Sequence, residues 1–374
     1  MSSRTKRKSY KRNQGRSSSR IRLSSLTIFA QPLCPPQRIS EGLEMEATKH
    51  PHIIPQSYPW LVIADGKNLE RQTLVNISNN HFDSGTIPEM HNKSICSSSK
   101  EWLVLKDIDS MDLCLLSITS KEVVKLPRLQ LPQFDFINDL YICILSSPPN
   151  ETNHDYYVMF IDGSTSKFYF CQPGEKEFSE QVFEFDLDDR LKSIVAATMF
   201  REKVYFLTWF SGQPPIYELF TAEFVGSNLH FTKFTRENFP QPSPPEIDIT
   251  KEYLVECGGK LLYIHKMGGG WNGTKILGFL IFQMDFSSRV WVQVNNIGGW
   301  TIFLSQYHGL EHKAISCFAE KGIRQNAIYF TKSFDRLIYV FDLEDHSISK
   351  SLSCPIVSKY KSRLDWVMVP NTKP

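Results

Sequence analysis

Short apolar runs separated by turn residues recur from about residue 58 to the end of the chain, and helical periodicity is nearly absent. Segments such as YYVMFIDGSTSKFYF and YLVECGGKLLYIHK each predict a strand, a tight turn and a second strand. The dipeptides DG at 162–163 and GG at 258–259 are expected to supply the positive φ angles that hairpin turns need. Successive hairpins predict an all-β domain.

The hairpins recur with a regular spacing. A strand that precedes a polar turn returns every 40 to 60 residues or so, a spacing near that of kelch and WD repeats. These marker strands lie near Leu74, Leu113, Phe168, Tyr217, Leu280 and Ile338. One four-stranded blade per unit predicts a kelch-like β-propeller of about six blades. We expect the C-terminal LDWVMVP at 364–370 to close the ring by pairing with YPWLVIAD at 58–65.

Charge and composition divide the chain. The net charge of +2 hides an asymmetry, since residues 1–40 hold ten Lys or Arg and no acid, which leaves 32 basic against 40 acidic residues elsewhere. A mildly acidic body argues against a nucleic-acid-binding surface. The expected organisation is a basic leader at 1–40, a linker at 41–57 and a propeller domain at 58–374.

The leader is rich in Ser and Arg, and it is predicted to be disordered because it has little apolar surface to bury. Two functional interpretations stay open. Lys6, Arg7, Lys8, Lys11 and Arg12 resemble a nuclear import patch. SRIRLSSLTIF at 19–29 is typical of mitochondrial or chloroplast transit peptides. A solvated tail without either role is the third possibility, so nucleus, cytoplasm and organelle all remain open locations.

The sequence offers no recognisable catalytic centre, and no cofactor or metal is predicted. The string HGLEH at 308–312 fits an H-x-x-E-H metal motif, but it contains a glycine and lies between predicted strands, whereas the motif requires a rigid helix. The eight cysteines are scattered without a Cys-x-x-Cys pair, which predicts buried reduced thiols in an intracellular compartment. No apolar stretch reaches 18 residues, so a membrane-spanning helix is not expected.

Several segments resemble, in the same order, the plant KIB-type β-propeller family over roughly residues 58–370. They include SSSKEWLVLKD, SITSKEVVKLP and NAIYFTKSFDRLIYVFDLEDHSI. Members of that family often carry an N-terminal F-box, which docks on the Skp adaptor of a ubiquitin ligase and leaves the propeller to recruit the substrate. Residues 41–57 are too few for that module. Some relatives without an F-box carry organellar transit peptides.

We therefore expect a non-enzymatic propeller that binds a protein partner of unknown identity. Trp271 and Trp300 lie in glycine-rich segments, and we predict that they anchor this partner, because an exposed indole buries a large area on binding. For Trp271, packing against a neighbouring blade is the alternative. The family resemblance implies a second function, the substrate-recognition subunit of an SCF-type ubiquitin ligase without a recognisable F-box. An organelle-targeted propeller is a third.

Overall fold

The computed structural model describes residues 57–66, 69, 71–77, 81–85, 87–129, 141–149, 156–185, 191–212, 216–235, 249–269, 275–307, 311–332, 337–353 and 363–370. All of them belong to one structural unit, Ile53–Pro374. The predicted leader at 1–40 lies outside the described residues, as does the linker apart from Ser57. Within the described ranges no residue is α-helical, so no helix there is long and apolar enough to cross a membrane.

The described residues form six antiparallel or mixed β-sheets, one for each predicted blade. The strands of blade 1 are β1 (Ser57–Asp65), β2 (Arg71–Asn76), β3 (His81–Gly85) and the last strand of the chain, β25 (Arg363–Pro370); those of blade 2 are β4 (Lys93–Ser99), β5 (Trp102–Asp107), β6 (Leu113–Ser117) and β7 (Val123–Lys125); those of blade 3 are β8 (Tyr141–Leu145), β9 (Val158–Asp162), β10 (Lys167–Cys171) and β11 (Ser179–Val182).

The other three sheets follow in chain order. The strands of blade 4 are β12 (Lys192–Phe200), β13 (Lys203–Phe210), β14 (Ile216–Val225) and β15 (Asn228–Lys233); those of blade 5 are β16 (Ile249–Cys257), β17 (Lys260–Gly269), β18 (Lys275–Asp285) and β19 (Val290–Val294); those of blade 6 are β20 (Trp300–Tyr307), β21 (Glu311–Phe318), β22 (Ala327–Thr331), β23 (Leu337–Asp342) and β24 (Ile348–Ser353).

Six strands, one from each sheet, surround a common axis. Strands β25, β4, β8, β12, β16 and β21 each end their own sheet and line one central cavity. We label the strand positions A to D from this inner strand outward. The fold is an all-β, six-bladed propeller, as the repeat spacing predicted. Five of the six marker strands take position C, and the sixth, β23, is the fourth of the five strands of blade 6.

The ring closes through the two ends of the described chain. Strand β25 pairs antiparallel with β1, from Ser57↔Pro370 to Ala64↔Arg363, so the predicted closure is confirmed. Trp366 on β25 is buried, its ring lies 4.9 Å from that of Phe303 in blade 6, and its Nε1 donates a hydrogen bond to the Leu304 carbonyl at 3.3 Å. The last strand therefore joins blade 1 to blade 6.

Blade 6 departs from the expected four strands. Strand β20 lies between β21 and β22, antiparallel to the first and parallel to the second. The chain thus enters this sheet at its second position, turns back to build the inner strand, and then crosses over β20 to continue outward. Apolar alternation predicts that a segment is a strand but not which neighbour it takes, so the fifth strand was not foreseen.

The core is divided among the junctions between blades. The buried apolar residues form six clusters, and each cluster joins two neighbouring blades. Between blades 3 and 4, Phe183 packs edge-to-face against Phe206 and Phe220 at centroid distances of 5.1 and 4.9 Å. Aromatic rings fill such flat junctions well, which gives the many Phe residues of the sequence a structural role.

Several hairpins share one turn geometry. A side-chain oxygen at the first turn position accepts hydrogen bonds from backbone N–H groups two or three residues later, and the residue four positions later has positive φ. The first residues are Asp107, Ser117, Asp162, Asp285 and Asp342, and the positive-φ residues are Met111, Lys121, Ser166, Arg289 and His346.

The two predicted glycine turns have different outcomes. Gly258 and Gly259 both have positive φ, 60° and 73°, as expected. At 162–163 the hairpin forms, but the expected role of Gly163 was wrong, because the positive φ falls on Ser166. Here the Asp162 carboxylate holds the turn by accepting hydrogen bonds from the backbone and hydroxyl groups of Ser164 and Thr165.

Ring closure can be tested by truncation. Deleting residues 363–374 removes β25 and uncovers the clusters on both sides of blade 1, so we expect the free energy of unfolding to fall by more than about 3–5 kcal/mol, the loss typical of one large buried aromatic side chain. Deleting only 371–374, which leaves every pair of β25 and β1 intact, is the control. Equal denaturation midpoints for the two truncated proteins would contradict the closure.

The Asp162 turn predicts a pH dependence. Burial acts to raise the pKa of this carboxyl, but hydrogen bonds from Ser164 and Thr165 outweigh it, and the pKa lies below its ordinary value. A lowered folded-state pKa contributes stability above the unfolded-state pKa of about 3.9, and this stability is lost as the pH falls through the folded-state value. Asp162→Asn should therefore lower the melting temperature at pH 7, with a gap to wild type that narrows below about pH 4. A gap that stays constant down to pH 2, or the same profile for the exposed Asp112→Asn control, would contradict this.

Candidate functional site

The inner strands of all six blades line a central cavity of about 390 Å³. Its wall combines serine and threonine hydroxyls with the apolar side chains of Met199 and Met368. Lys313 lies in this wall, where its Nζ donates hydrogen bonds to Asp365 Oδ1 at 3.0 Å and to the Ile95 carbonyl. The ammonium group thereby ties the inner strands of blades 6, 1 and 2 together, and we assign it a structural role.

The described part of the chain shows few groups suited to catalysis. No group of three or more His, Cys, Asp or Glu residues there is placed to hold a metal ion. Of the six described cysteines, all but Cys143 are buried. Burial raises the pKa of Cys257 and Cys317 to about 12, so these thiols stay protonated and unreactive at neutral pH. Residues 308–310 of the HGLEH segment at 308–312 lie outside the described part of the chain.

One buried polar cluster lies between blades 4 and 5. Tyr217 donates a hydrogen bond from its hydroxyl to Glu252 Oε1 at 2.8 Å, and His265 Nδ1 lies 3.5 Å from the same oxygen and 3.1 Å from the Tyr263 hydroxyl. All four residues are less than a tenth exposed. Burial also raises the pKa of Tyr263 well above its ordinary value. Among the described residues, His265 Nε2 is buried without a hydrogen-bond partner, whereas Nδ1 contacts both neighbours. Because Tyr217 belongs to blade 4 and the other three residues to blade 5, we interpret the cluster as a bridge between two blades.

The two faces of the propeller carry different turns. Since neighbouring strands in blades 1 to 5 are antiparallel, the A-to-B and C-to-D connections of these blades lie on one face and the B-to-C connections lie on the other. We call these the A–B face and the B–C face. Loops on a rigid scaffold are the usual place for binding residues, so the faces are where we compare the predicted anchors.

Trp300 lies on the A–B face, at the start of β20, and is half-buried. Its ring meets that of Phe318 edge-to-face, with centroids 6.0 Å apart and an interplanar angle of 89°. Phe318 is 56% exposed, and it is the one exposed Phe, Tyr or Trp among the residues whose side-chain burial the structure describes. The sequence drew attention to Trp300, but its exposed neighbour was missed because it ends an ordinary apolar run.

Two glycines make room for this aromatic pair. A Cβ atom at Gly258 would lie 2.7 Å from Trp300 Nε1, and one at Gly299 would lie 2.6 Å from Phe318 Cε2. Both distances are shorter than real Cβ contacts allow, so the rings lie directly against bare backbone. The glycine pairs at 258–259 and 298–299 are the sequence signal of this packing.

The other predicted site residues lie outside the described part of the chain. Trp271 falls in segment 270–274, and the basic patch from Lys6 to Arg12 falls in the leader. The strand ends that flank Trp271, Gly269 and Lys275, belong to a B-to-C connection and so lie on the face opposite Trp300. The two tryptophans therefore have to be tested as separate anchors.

A groove of about 490 Å³ opens on the A–B face between blades 3 and 4. Met159 and Met199 line it together with Tyr157 and Phe224, whose rings stack with centroids 3.8 Å apart. Its charged residues are Arg201, Glu202, Lys203 and Glu223, of which the last two form an ion pair at 2.6 Å. Residues Ile144, Ser146 and Met199 line both this groove and the central cavity, so the two spaces adjoin.

A second group of aromatic rings adjoins the groove at the junction of blades 4 and 5. We define the aromatic–arginine cluster as Phe200, Tyr205, Phe234, Phe286, Arg201 and Arg289. Arg201 belongs to the A-to-B turn of blade 4, and Arg289 to the C-to-D turn of blade 5. Sequence reasoning missed this cluster because its members come from hairpins that are far apart in the chain.

Comparison with known proteins identifies one family. The sequence model of a family described as the KIB1-4 beta-propeller matches residues 74–352, which is more than half of the chain. No curated protein matches.

Solved structures show only a general likeness. The chain is similar to the structure of YjhT, with 9% identity, a TM-score of 0.35 and coverage of 80% of this chain and 98% of that one. It is also similar to the crystal structure of Kluyvelomyces marxianus Hsv2, with 11% identity, a TM-score of 0.30 and coverage of 63% of this chain and 69% of that one. For the complex structure of the fission yeast SREBP-SCAP binding domains, the identity is 9%, the TM-score is 0.30, and the match covers 86% of this chain and 99% of that one. With TM-scores this low, these likenesses carry no argument about function.

The glycine support of Trp300 can be tested with a matched pair of variants. Gly258→Ala and Gly259→Ala both place a Cβ at positive φ, which costs about 1–2 kcal/mol. Only at Gly258 does the new atom meet Trp300, because nothing lies within 4 Å of a Cβ at Gly259. We expect Gly258→Ala to lower the free energy of unfolding by a further ~1–3 kcal/mol, the usual range for overpacking. Equal losses in chemical denaturation would contradict this contact.

Proposed function

Because the chain belongs to the KIB1-4 β-propeller family, we propose that it is a protein-interaction domain without chemistry of its own, which binds a protein partner through its A–B face. The observation that carries this proposal is the exposed Phe318 held edge-to-face against Trp300. An aromatic side chain that is fixed before binding loses little conformational entropy and buries a large apolar area, which are the properties of interface hot spots.

The charge of the chain and the packing of Phe318 support a protein rather than a nucleic acid as the partner. Beyond residue 40 the chain carries 32 basic and 40 acidic residues, and phosphate backbones require clustered positive charge. The backbone of Gly299 lies under the Phe318 ring, so its exposed side faces solvent from a rigid base. A partner with a complementary apolar pocket would cover this ring.

The experiment starts with identification of the partner. The tagged full-length chain is captured from its own cells after cross-linking, the bound proteins are identified by mass spectrometry, and the candidate is purified for calorimetry. Recovery of a Skp adaptor would favour the ligase-receptor alternative implied by the family resemblance. A mature N-terminus shortened within the leader would favour the organelle-targeted alternative.

Phe318→Ala is the test of the site. We expect the dissociation constant of the identified partner to rise at least tenfold, as truncation of a hot-spot aromatic residue costs about 2 kcal/mol or more. The melting temperature should hardly change, since the side chain is largely exposed. Leu277→Ala is the matched control, because Leu277 is 45% exposed and lies near the B–C end of β18.

Two results would overturn these assignments. Unchanged affinity of Phe318→Ala for the purified partner removes the anchor from the A–B face, and Trp271→Ala then tests the opposite face. Failure of the wild-type chain to bind any captured candidate directly in calorimetry contradicts the protein-interaction function itself.

A further inference from the structure

We propose that the aromatic–arginine cluster recognises acidic side chains of a linear peptide segment whose apolar side chains enter the groove between blades 3 and 4. This inference rests on the proposed function and specifies the chemistry of the partner. It uses residues other than Phe318 and Trp300, so the two assignments can fail separately.

Arg201 is held in place by two aromatic rings. Its guanidinium carbon lies 4.9 Å from the centroid of Phe200 and 5.0 Å from that of Phe286, and these two rings stack on each other at 5.3 Å with an interplanar angle of 16°. A guanidinium group that lies on a ring face keeps its N–H groups at the edge available, and their spacing matches a carboxylate or phosphate. Stacking therefore prepares Arg201 for an anion.

Arg289 extends the same platform. Its guanidinium carbon lies 5.5 Å from the centroid of Phe234, and the rings of Phe234 and Phe286 are 5.4 Å apart. Two arginines from different blades thus rest on one continuous group of rings. A peptide that crosses the junction would meet two cations in succession.

The acidic groups nearby are engaged elsewhere. Asp285, four residues before Arg289, accepts hydrogen bonds from Ser287 and Ser288, which lower its pKa to about 2. Glu223 pairs with Lys203. Within the described residues, neither Arg201 nor Arg289 forms an ion pair, and the remaining neighbour, Glu202, is exposed at the turn. The two guanidinium groups keep their hydrogen-bonding capacity for an external acceptor.

The turn that carries Arg201 has an unfavourable backbone. Arg201 and Glu202 occupy its centre with φ angles of 47° and 63°, where hairpins prefer Asn and Gly. Non-glycine residues at positive φ carry a conformational cost, and such strain is commonly kept at binding sites. A sequence selected for stability alone would favour Asn-Gly at the two central positions of this turn. The presence of Arg201 and Glu202 at these positions therefore supports a function for the turn.

The groove supplies the apolar half of the site. Its volume of about 490 Å³ falls within the usual range of ligand pockets. Met199 is partly exposed and can adapt to different side chains because the thioether chain is flexible, while the stacked Tyr157 and Phe224 give a flat wall. Arg201 lines the groove and also belongs to the cluster, so an apolar residue in the groove would bring neighbouring acidic residues to the arginines.

The test uses the full-length protein and four sets of fluorescein-labelled ten-residue peptides. All sets carry a central Leu or Phe, and the flanking positions hold Glu, phosphoserine, Ser or Lys. Fluorescence anisotropy is expected to show at least tenfold tighter binding of the Glu or phosphoserine set than of the Ser and Lys sets. The set that binds more tightly identifies the anion as a carboxylate or a phosphate.

Substitutions assign the binding to the cluster. The double variant Arg201→Gln, Arg289→Gln should bind the anionic peptides no better than the Ser peptides, while Arg128→Gln, an exposed arginine in another blade, should bind like wild type. Arg201→Lys keeps the charge but loses the planar fork, so we expect an intermediate affinity. Circular dichroism of each variant confirms that the fold is retained.

Absence of a preference for anionic peptides, or a preference that persists in the double variant, would overturn the inference. If the double variant still binds the partner identified through Phe318 with wild-type affinity, the arginine site is excluded as part of that interface and the proposed function stands. If Phe318→Ala leaves partner binding unchanged while the double variant abolishes anionic peptide binding, the cluster stands and the Phe318 anchor is lost.

Discussion

The pairing of β25 with β1 is the contact on which the rest of the structure depends. Each blade buries its apolar surface only against its neighbours, and the six core clusters each span one junction. An open chain of blades would leave two of those surfaces in water. Because β25 takes the inner position of blade 1, the ring is complete and every sheet buries both sides against a neighbouring blade.

A closed ring also separates stability from recognition. The strands at the blade junctions hold nearly all of the large buried side chains, so the turns on the two faces carry little of the core. Polar groups at the first turn position, such as the Asp162 and Asp285 carboxylates, satisfy their own backbone N–H groups. These hairpins are thereby held by their own side chains, and a residue such as Arg289 in the Asp285 turn can project from a fixed position.

The sequence predicted the features that repeat and missed those that depend on which hairpins meet. The spacing of polar turns located strand C in five blades, because that strand is largely apolar and is followed by a turn in those units. Closure followed from the same logic, since a ring requires its ends to pair. The position of β20 was beyond reach, because alternation identifies a strand but not its neighbours. The same limit hid the contacts of Trp300 with Gly258 and of Arg201 with Phe286, which join residues from different blades.

Local and overall electrostatics act in opposite directions on an acidic partner. The chain beyond residue 40 carries more acidic than basic residues, so at long range it repels an anionic segment weakly. At physiological ionic strength this field is screened beyond about 8 Å, whereas a guanidinium–carboxylate contact forms at hydrogen-bond distance. Selectivity at the aromatic–arginine cluster would therefore reside in slow dissociation rather than in fast association. Stacking on rigid rings serves that purpose, because Arg201 and Arg289 lose little rotational freedom when the anion arrives.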